Sequence, residues 1–222
     1  MIVDLNLNRK HVLVLGGGNE GRRKVRGLLD QNCKITVLSD RLNHYFIQLE
    51  EQGQIEIVKT KIKDASVLES YSDLFLVLAA TNDKVLNRMI VEKARSMCLF
   101  AYAVDDPAIS DFSYASIINI EGVMQVAIST LGKSPIMSRR VRIKAERVLR
   151  RVIKKTDIEN AKLQEFARAA AKSSFKTVEQ RKEFLYSLMK NSRIQNLIKE
   201  DKTDEAKNTT LELLREWGKN NR

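Results

Sequence analysis

Short apolar runs alternate with segments of helical periodicity over the first hundred residues of the chain. The runs that predict strands cover residues 11–15, 34–38, 54–58, 74–80 and 99–104. Helices are predicted directly after the first run and at residues 43–51, 64–71 and 83–97, the last with apolar positions Val85, Leu86, Met89, Ile90 and Ala94. This alternation predicts an α/β fold with a Rossmann-like parallel sheet.

The pattern changes after residue 112. Two strand-like runs, residues 112–120 and 123–130, flank Glu121-Gly122, which predicts a β-hairpin. Ser134-Pro135 then predicts the start of a helix, with serine as the N-cap, and Thr177 with Gln180 predicts a capping box for a later one. We therefore expect three parts: a Rossmann domain at 1–112, a small hairpin and helix region at 113–150, and an all-α C-terminal domain at 151–222.

Composition narrows the class of protein. The 222 residues are 43% hydrophobic, enough for a packed core, and no apolar run approaches the roughly 20 residues that cross a bilayer. The first ten residues lack the features of a secretory signal, so we expect a cytoplasmic protein with no membrane association. Two cysteines and two histidines are too few and too scattered to suggest a metal site.

The net charge of +11 is distributed unevenly. Residues 1–138 hold 16 basic and 16 acidic side chains, whereas residues 139–222 hold 23 and 12, so the whole excess lies in the last third. Such an excess predicts an anionic partner or substrate, or merely a solvated basic face. A basic nucleic-acid-binding protein is one alternative, but the aromatic content is 6%, acids are mixed with the bases, and no helix-turn-helix spacing or zinc ligands are present. We therefore expect no nucleic-acid partner.

A glycine motif supplies the clearest functional signal. Gly16, Gly18 and Gly21 form G-x-G-x-x-G between the first strand and the following helix, which is the context of a dinucleotide-binding loop. The alternative is a purely structural tight turn. The residues expected to bind the cofactor are Gly16, Gly18, Asn19, Glu20, Gly21, Ala79, Ala80 and Thr81, with Asp40 or Ser39 on the adenosine ribose. An acidic residue there disfavours a 2′-phosphate, so NAD is expected rather than NADP.

Several segments together resemble one known family. GGGNEGRRK (16–24), VLAATND (77–83), AVDDP (103–107), DFSYASII (111–118) and VAISTLGKSPIMSRRVR (126–142) occur in the order and spacing of the precorrin-2 dehydrogenases, which also form the N-terminal part of siroheme synthase. The resemblance implies NAD-dependent oxidation of precorrin-2 to sirohydrochlorin in siroheme biosynthesis, in a homodimer. Some members also insert ferrous iron, and the sequence leaves this open. The family often carries alanine where this chain has Gly21.

The resemblance also assigns roles to residues. Asp105 occupies the position of the family's catalytic aspartate, whereas Asp106 suits an Asx turn before Pro107. Cations and hydroxyls for the carboxylates of the tetrapyrrole are expected at Ser129, Thr130, Lys133, Ser134, Arg139, Arg140 and Arg142. A solvated basic helix surface is the alternative for each arginine. A non-catalytic NAD-sensing regulator remains the alternative for the whole protein.

Overall fold

The computed structural model describes residues 2–220 and divides the chain into two compact units, Met1–Tyr114 and Ala115–Arg222. The first unit is built on a five-stranded sheet in the order β3-β2-β1-β4-β5, in which every pair of neighbours is parallel. The strands are β1 (His11–Gly17), β2 (Lys34–Leu42), β3 (Glu56–Val58), β4 (Leu74–Ala79) and β5 (Phe100–Ala103). This arrangement confirms the predicted Rossmann-like sheet.

Helices connect these strands and cover both faces of the sheet. They are α1 (Asn19–Arg26), α2 (His44–Glu51) and α3 (Lys84–Ser96), with short 3₁₀ helices at Leu29–Gln31, Ala65–Ser70 and Pro107–Ile109. The helix predicted at 64–71 is thus a 3₁₀ helix, and Asp64 caps it by accepting from the Ser66 N–H. β1 is buried along its whole length because apolar clusters pack on both of its faces.

The second unit begins with a two-stranded antiparallel sheet, β6 (Ser116–Ile120) and β7 (Met124–Ile128). Glu121 and Gly122 form the predicted turn, both at positive φ. The first strand begins at Ser116 rather than residue 112, because the rings of Phe112 and Tyr114 pack against Tyr102 in the first unit.

Five helices complete the second unit as far as residue 220. They are α4 (Pro135–Val152), α5 (Lys155–Ser174), α6 (Val178–Lys190), α7 (Ser192–Lys199) and α8 (Thr203–Asn220). Ser134 caps α4 with Pro135 as its first residue, and Thr177 and Gln180 form the capping box of α6, as predicted. The hairpin packs against both α4 and Ile158 of α5. The boundary expected near residue 150 therefore stays a prediction.

Within the described residues, no helix is both long and apolar enough to span a bilayer.

Candidate functional site

The glycine loop is pressed tightly against the neighbouring strand. Gly16 has φ +117°, a conformation that L side chains rarely adopt, and a Cβ there would overlap the carbonyl oxygen of Ala80. A Cβ at Gly21 would overlap the carbonyl oxygen of Gly16, so this position requires glycine in the present backbone. The loop at the C-terminal end of β1 therefore packs closely against the C-terminal end of β4. The strand order of the sheet reverses between these two strands. Open α/β sheets bind their ligands at this switch point.

Gly18 lies on the open side of the same loop. A Cβ at this position would meet nothing within 4 Å, and Gly18 is the N-cap of α1 without a side chain to cap the helix. The first N–H groups of α1 are consequently available to an anion, and the helix dipole favours one there. Asn19 and Glu20 are exposed beside them, and Glu20 pairs with Arg23 at 2.6 Å. This geometry fits the pyrophosphate of a dinucleotide.

The end of β2 contributes the candidates for the ribose. Ser39 is buried, and its Oγ donates to the Arg41 carbonyl oxygen at 2.7 Å. Asp40 is exposed and has no hydrogen-bond or ion-pair partner in the part of the chain that the structure describes. Of these two alternatives, Asp40 has the side chain free to accept a ribose hydroxyl. Sequence reasoning gave no role to Gly17, where a Cβ would overlap the Arg41 carbonyl oxygen.

A buried asparagine organises the end of β4. Ala79 and Ala80 are buried, and Thr81 follows them. Asn87 of α3 has no exposed surface; its Oδ1 accepts from the Thr81 backbone N–H at 3.1 Å and from the Thr81 hydroxyl at 2.7 Å. Its Nδ2 donates to the Thr81 carbonyl oxygen at 3.1 Å. Asn87 thereby fixes the backbone that follows β4.

The same asparagine holds Asp105. Asn87 Nδ2 also donates to Asp105 Oδ1 at 2.6 Å, two residues beyond the end of β5. The carboxylate is exposed to solvent and lies at the edge of the sheet that carries the glycine loop. Hydrogen bonds thus link Thr81, Asn87 and Asp105, next to the place where Gly16 approaches Ala80. Sequence reasoning missed Asn87 because it expected an apolar face for α3.

The neighbouring carboxylate has a local structural role. Asp106 Oδ1 accepts from the Ala108 N–H at 3.1 Å and caps the 3₁₀ helix that begins at Pro107. Its second oxygen pairs with Arg88 at 3.0 Å. Asp106 therefore makes the Asx turn expected of it, and Asp105 is the carboxylate that this segment leaves available for chemistry.

Lys24 of α1 is a second residue whose environment the sequence did not reveal. It is 5% exposed, and its Nζ lies 3.4 Å from the centroid of the Tyr114 ring and 4.0 Å from that of Tyr102. Burial lowers the pKa of Lys24 to about 7, with a further contribution from the Arg23 charge. The two ring faces favour the charged amine and oppose this shift. Burial also raises the pKa of both tyrosines.

The expected substrate-binding hydroxyls lie in the second unit, around the loop that precedes α4. Thr130 Oγ1 donates to the Ser134 carbonyl oxygen and accepts from the Ser134 N–H, both at 3.0 Å. Ser134 Oγ caps α4 through the Met137 N–H, and Ser129 Oγ accepts from the Leu131 N–H. These bonds shape the loop, and a direct role of the three hydroxyls in substrate binding stays a prediction.

The expected cations of this unit fall into two groups. Lys133, Arg139 and Arg140 are exposed and have no ion-pair partner among the described residues. Arg142 instead pairs with Glu146 at 2.7 Å, and Arg150 pairs with the other oxygen of the same carboxylate. The structure thus leaves three of the four predicted cations free for an anionic ligand.

Comparison with known proteins agrees with the architecture. A protein-family model described as "Putative NAD(P)-binding" matches residues 3–116. The siroheme synthase of Actinobacillus succinogenes is 34% identical over 202 residues, which cover 91% of this chain and 40% of that protein. Siroheme synthase 3 of Aeromonas hydrophila is 36% identical over 143 residues, covering 64% of this chain and 30% of that protein. The chain therefore spans about two-fifths or less of these relatives.

A solved structure has the same fold over nearly the whole chain. "SirC, precorrin-2 dehydrogenase" superposes with a TM-score of 0.66 at 19% identity, covering 97% of this chain and 99% of that one. The predicted fold class and the resemblance to the siroheme synthase relatives are confirmed. The match over residues 3–116 spans the whole sheet and its glycine loop, and on this evidence the chain belongs to the NAD(P)-binding family.

Proposed function

We propose that this protein is an NAD-dependent precorrin-2 dehydrogenase, which oxidises precorrin-2 to sirohydrochlorin in siroheme biosynthesis. The observation that carries the proposal is the placement of Asp105, held by Asn87 at the edge of the sheet where the glycine loop lies. The siroheme synthase relatives and the fold shared with SirC support the choice of substrate.

The residues of the first unit fit an NAD molecule. The open space at Gly18 and the uncapped start of α1 would bind the pyrophosphate, and Asp40 would accept a hydrogen bond from the ribose. Buried Ala79 and Ala80 keep the neighbouring strand end small. Bound NAD supplies the acceptor for the hydride that the substrate loses.

Asp105 would take the proton. Oxidation of precorrin-2 removes one hydride and one proton, so a carboxylate beside the reacting carbon serves as general base. Asn87 Nδ2 occupies Oδ1, which leaves Oδ2 to accept the proton. Asp106 cannot easily replace it, because both of its oxygens are held by the Ala108 N–H and by Arg88.

The carboxylates of the tetrapyrrole require cations. We assign them Lys133, Arg139 and Arg140, which lack ion-pair partners among the described residues. Arg142 would contribute less, because Glu146 already neutralises it.

The decisive experiment is an anaerobic assay of precorrin-2 with NAD, following the appearance of NADH. Replacement of Asp105 by Ala is expected to lower kcat by about 10²–10⁴-fold, the usual contribution of a general base, while the protein folds normally and binds NAD. Asp106→Ala is the matched control and should retain turnover at the temperature where it remains folded. Near-normal turnover in Asp105→Ala would remove this carboxylate from the mechanism, and absence of NADH with the wild type would favour the NAD-sensing alternative.

Repeating the assay with NADP tests the preference for NAD. A second repeat with sirohydrochlorin and ferrous ion tests iron insertion, for which iron is a substrate.

We also propose a homodimer, formed through the hairpin and α4. β6 buries Ile118 and Ile120 against the helices of the unit but exposes Ile117, so a partner surface is expected on that side of the hairpin. Val141, Val148 and Val152 of α4 are exposed and share one line of the helix by their spacing. Light scattering after gel filtration should give twice 25.4 kDa, and Val148→Glu/Val152→Glu should give the single mass, with Arg147→Glu as the control. A monomeric wild type would refute the dimer. We also propose a cytoplasmic location for the enzyme.

A further inference from the structure

A groove in the second unit lies between α5 and α6. Its volume is about 1050 Å³, at the upper end of the range for small-molecule sites. Arg168 and Lys172 line it from α5, and the positions that line it from α6 include Arg181, Lys182, Leu185 and Met189. Spacings of three and four residues turn these side chains toward the same space.

Two hydrogen bonds tie the walls of the groove together. Gln164 Nε2 on α5 donates to the Leu185 carbonyl oxygen on α6 at 2.9 Å. Arg181 Nη1 donates to the Phe175 carbonyl oxygen at 3.2 Å, in the connection between the two helices. The Arg181 guanidinium keeps further N–H groups for a ligand, and the spacing of the two helices is fixed.

The charged side chains that line the groove itself are all basic. No carboxylate lines it, and its four cations have no ion-pair partner within 4 Å in the described part of the chain. Glu179 and Glu183 of α6 line an adjoining hollow, which shares Lys182 and Tyr186 with the groove, so Arg168, Lys172 and Arg181 are the cations that belong to the groove alone. Uncompensated positive charge around a concave surface attracts anions.

The same groove exposes apolar surface. Tyr186 is 60% exposed, Val178 63% and Met189 45%, and all three line the groove between the cations. Exposed apolar side chains that lie between cations indicate a surface that binds a ligand. A ligand that satisfies both features has a broad apolar face and several carboxylates at its edge.

We infer that this groove is a second binding site for a tetrapyrrole polycarboxylate, formed by residues of α5 and α6 alone. The identity of the ligand rests on the proposed function, because a tetrapyrrole that bears acetate and propionate groups has this chemistry. The site contains none of the residues assigned above to catalysis, cofactor binding or the first set of substrate cations.

The test uses uroporphyrin, a stable tetrapyrrole octacarboxylate, titrated against the full chain without NAD. Arg168→Glu/Lys172→Glu should weaken one class of bound uroporphyrin at least tenfold. Lys144→Glu/Lys199→Glu, which changes charge equally at exposed positions of α4 and α7, should leave it within twofold. Carbodiimide coupling joins a ligand carboxylate to a lysine amine as an amide, and peptide mass spectrometry should find uroporphyrin on Lys172 or Lys182.

Unchanged binding by the groove variant, or coupling only at other lysines, would overturn the inference. Binding of poly-glutamate in place of uroporphyrin would also overturn it and indicate an acidic protein segment. Precorrin-2 turnover separates the two proposals. Turnover without groove-dependent uroporphyrin binding rejects only the groove, whereas groove-dependent binding without turnover in the wild type rejects only the dehydrogenase.

Discussion

Asn87 donates a hydrogen bond of 2.6 Å to Asp105, although the two residues are 18 positions apart in the chain. Asn87 lies near the start of α3, and Asp105 follows the end of β5. Asn87 is fully buried, and both of its polar atoms also bind Thr81. The orientation of the Asp105 carboxylate therefore depends on a side chain that is itself fixed. We expect Asn87 to act as a positioning residue.

Replacement of Asn87 by Ala should lower kcat about 10²-fold, because a misplaced base reacts poorly. It should also reduce the free energy of unfolding by about 1–3 kcal/mol, because the Thr81 N–H loses its partner. Asn87→Asp separates positioning from folding: a second carboxylate beside Asp105 should raise the pKa of the pair, so the acid limb of kcat/KM moves to higher pH. Exposed Asn82→Ala is the control, and an unshifted pH profile in Asn87→Asp would contradict the role.

Gly18 and Gly21 should respond to alanine in opposite ways. Gly18 has φ −81° and open space around its Cβ position, so Gly18→Ala should keep the thermal stability of the wild type. Its new methyl group would occupy the space where the pyrophosphate approaches, and the Kd for NAD should rise about tenfold, equivalent to about 1.4 kcal/mol. Gly21→Ala should instead lower the unfolding temperature, because its Cβ overlaps the Gly16 carbonyl oxygen. Calorimetric titration and thermal unfolding measure both effects, and unchanged NAD affinity in Gly18→Ala would place the pyrophosphate elsewhere.

Local sequence signals predicted the parts of this fold whose partners are near in the chain. The apolar run of β1, the glycine turn, the Ser134 cap and the Glu121-Gly122 turn each depend on a few adjacent residues. Asn87 was missed because its partners come from the ends of β4 and β5. Periodicity assigned Val85 and Met89 to the apolar face of α3, yet both are exposed, while Asn87 and Val91 are buried. A polar residue on a buried face is recognised only when the strands that satisfy it are known.

The burial of Lys24 was also not predicted, because the rings that cover it come from distant parts of the chain. This burial makes the stability of the protein depend on pH. The Lys24 pKa of about 7 lies below the value of 10.5 for a free lysine, so the unfolded chain binds more protons between these values and stability rises with pH there. The penalty for burying the charged amine is fully present below pH 7 and is lost as pH rises toward 10.5. Burial raises the pKa of both Tyr102 and Tyr114, which moves their ionisation to higher pH.

Replacement of Lys24 by Met should therefore stabilise the protein most at pH 6, and its advantage over the wild type should shrink by pH 10. We expect a change on the order of 2 kcal/mol, since the ring faces offset part of the burial cost. Denaturant unfolding of both proteins at a series of pH values measures it. Lys84→Met, at an exposed position of α3, should show no comparable slope. A constant difference between Lys24→Met and the wild type would mean that the amine stays charged throughout.

The free cations at the start of α4 should contribute to substrate affinity more than to turnover. Arg139 and Arg140 are exposed without ion-pair partners among the described residues, whereas Arg150 is bound to Glu146, whose pKa it lowers by hydrogen bonding. A charge-assisted hydrogen bond contributes about 1.5–3 kcal/mol, so Arg139→Ala/Arg140→Ala should raise the KM for precorrin-2 at least tenfold. Because neither residue reaches the reacting carbon in the proposed mechanism, kcat should fall much less. Arg150→Ala is the control and should leave KM near that of the wild type, while an unchanged KM in the double variant would mean that these arginines form only a solvated helix surface.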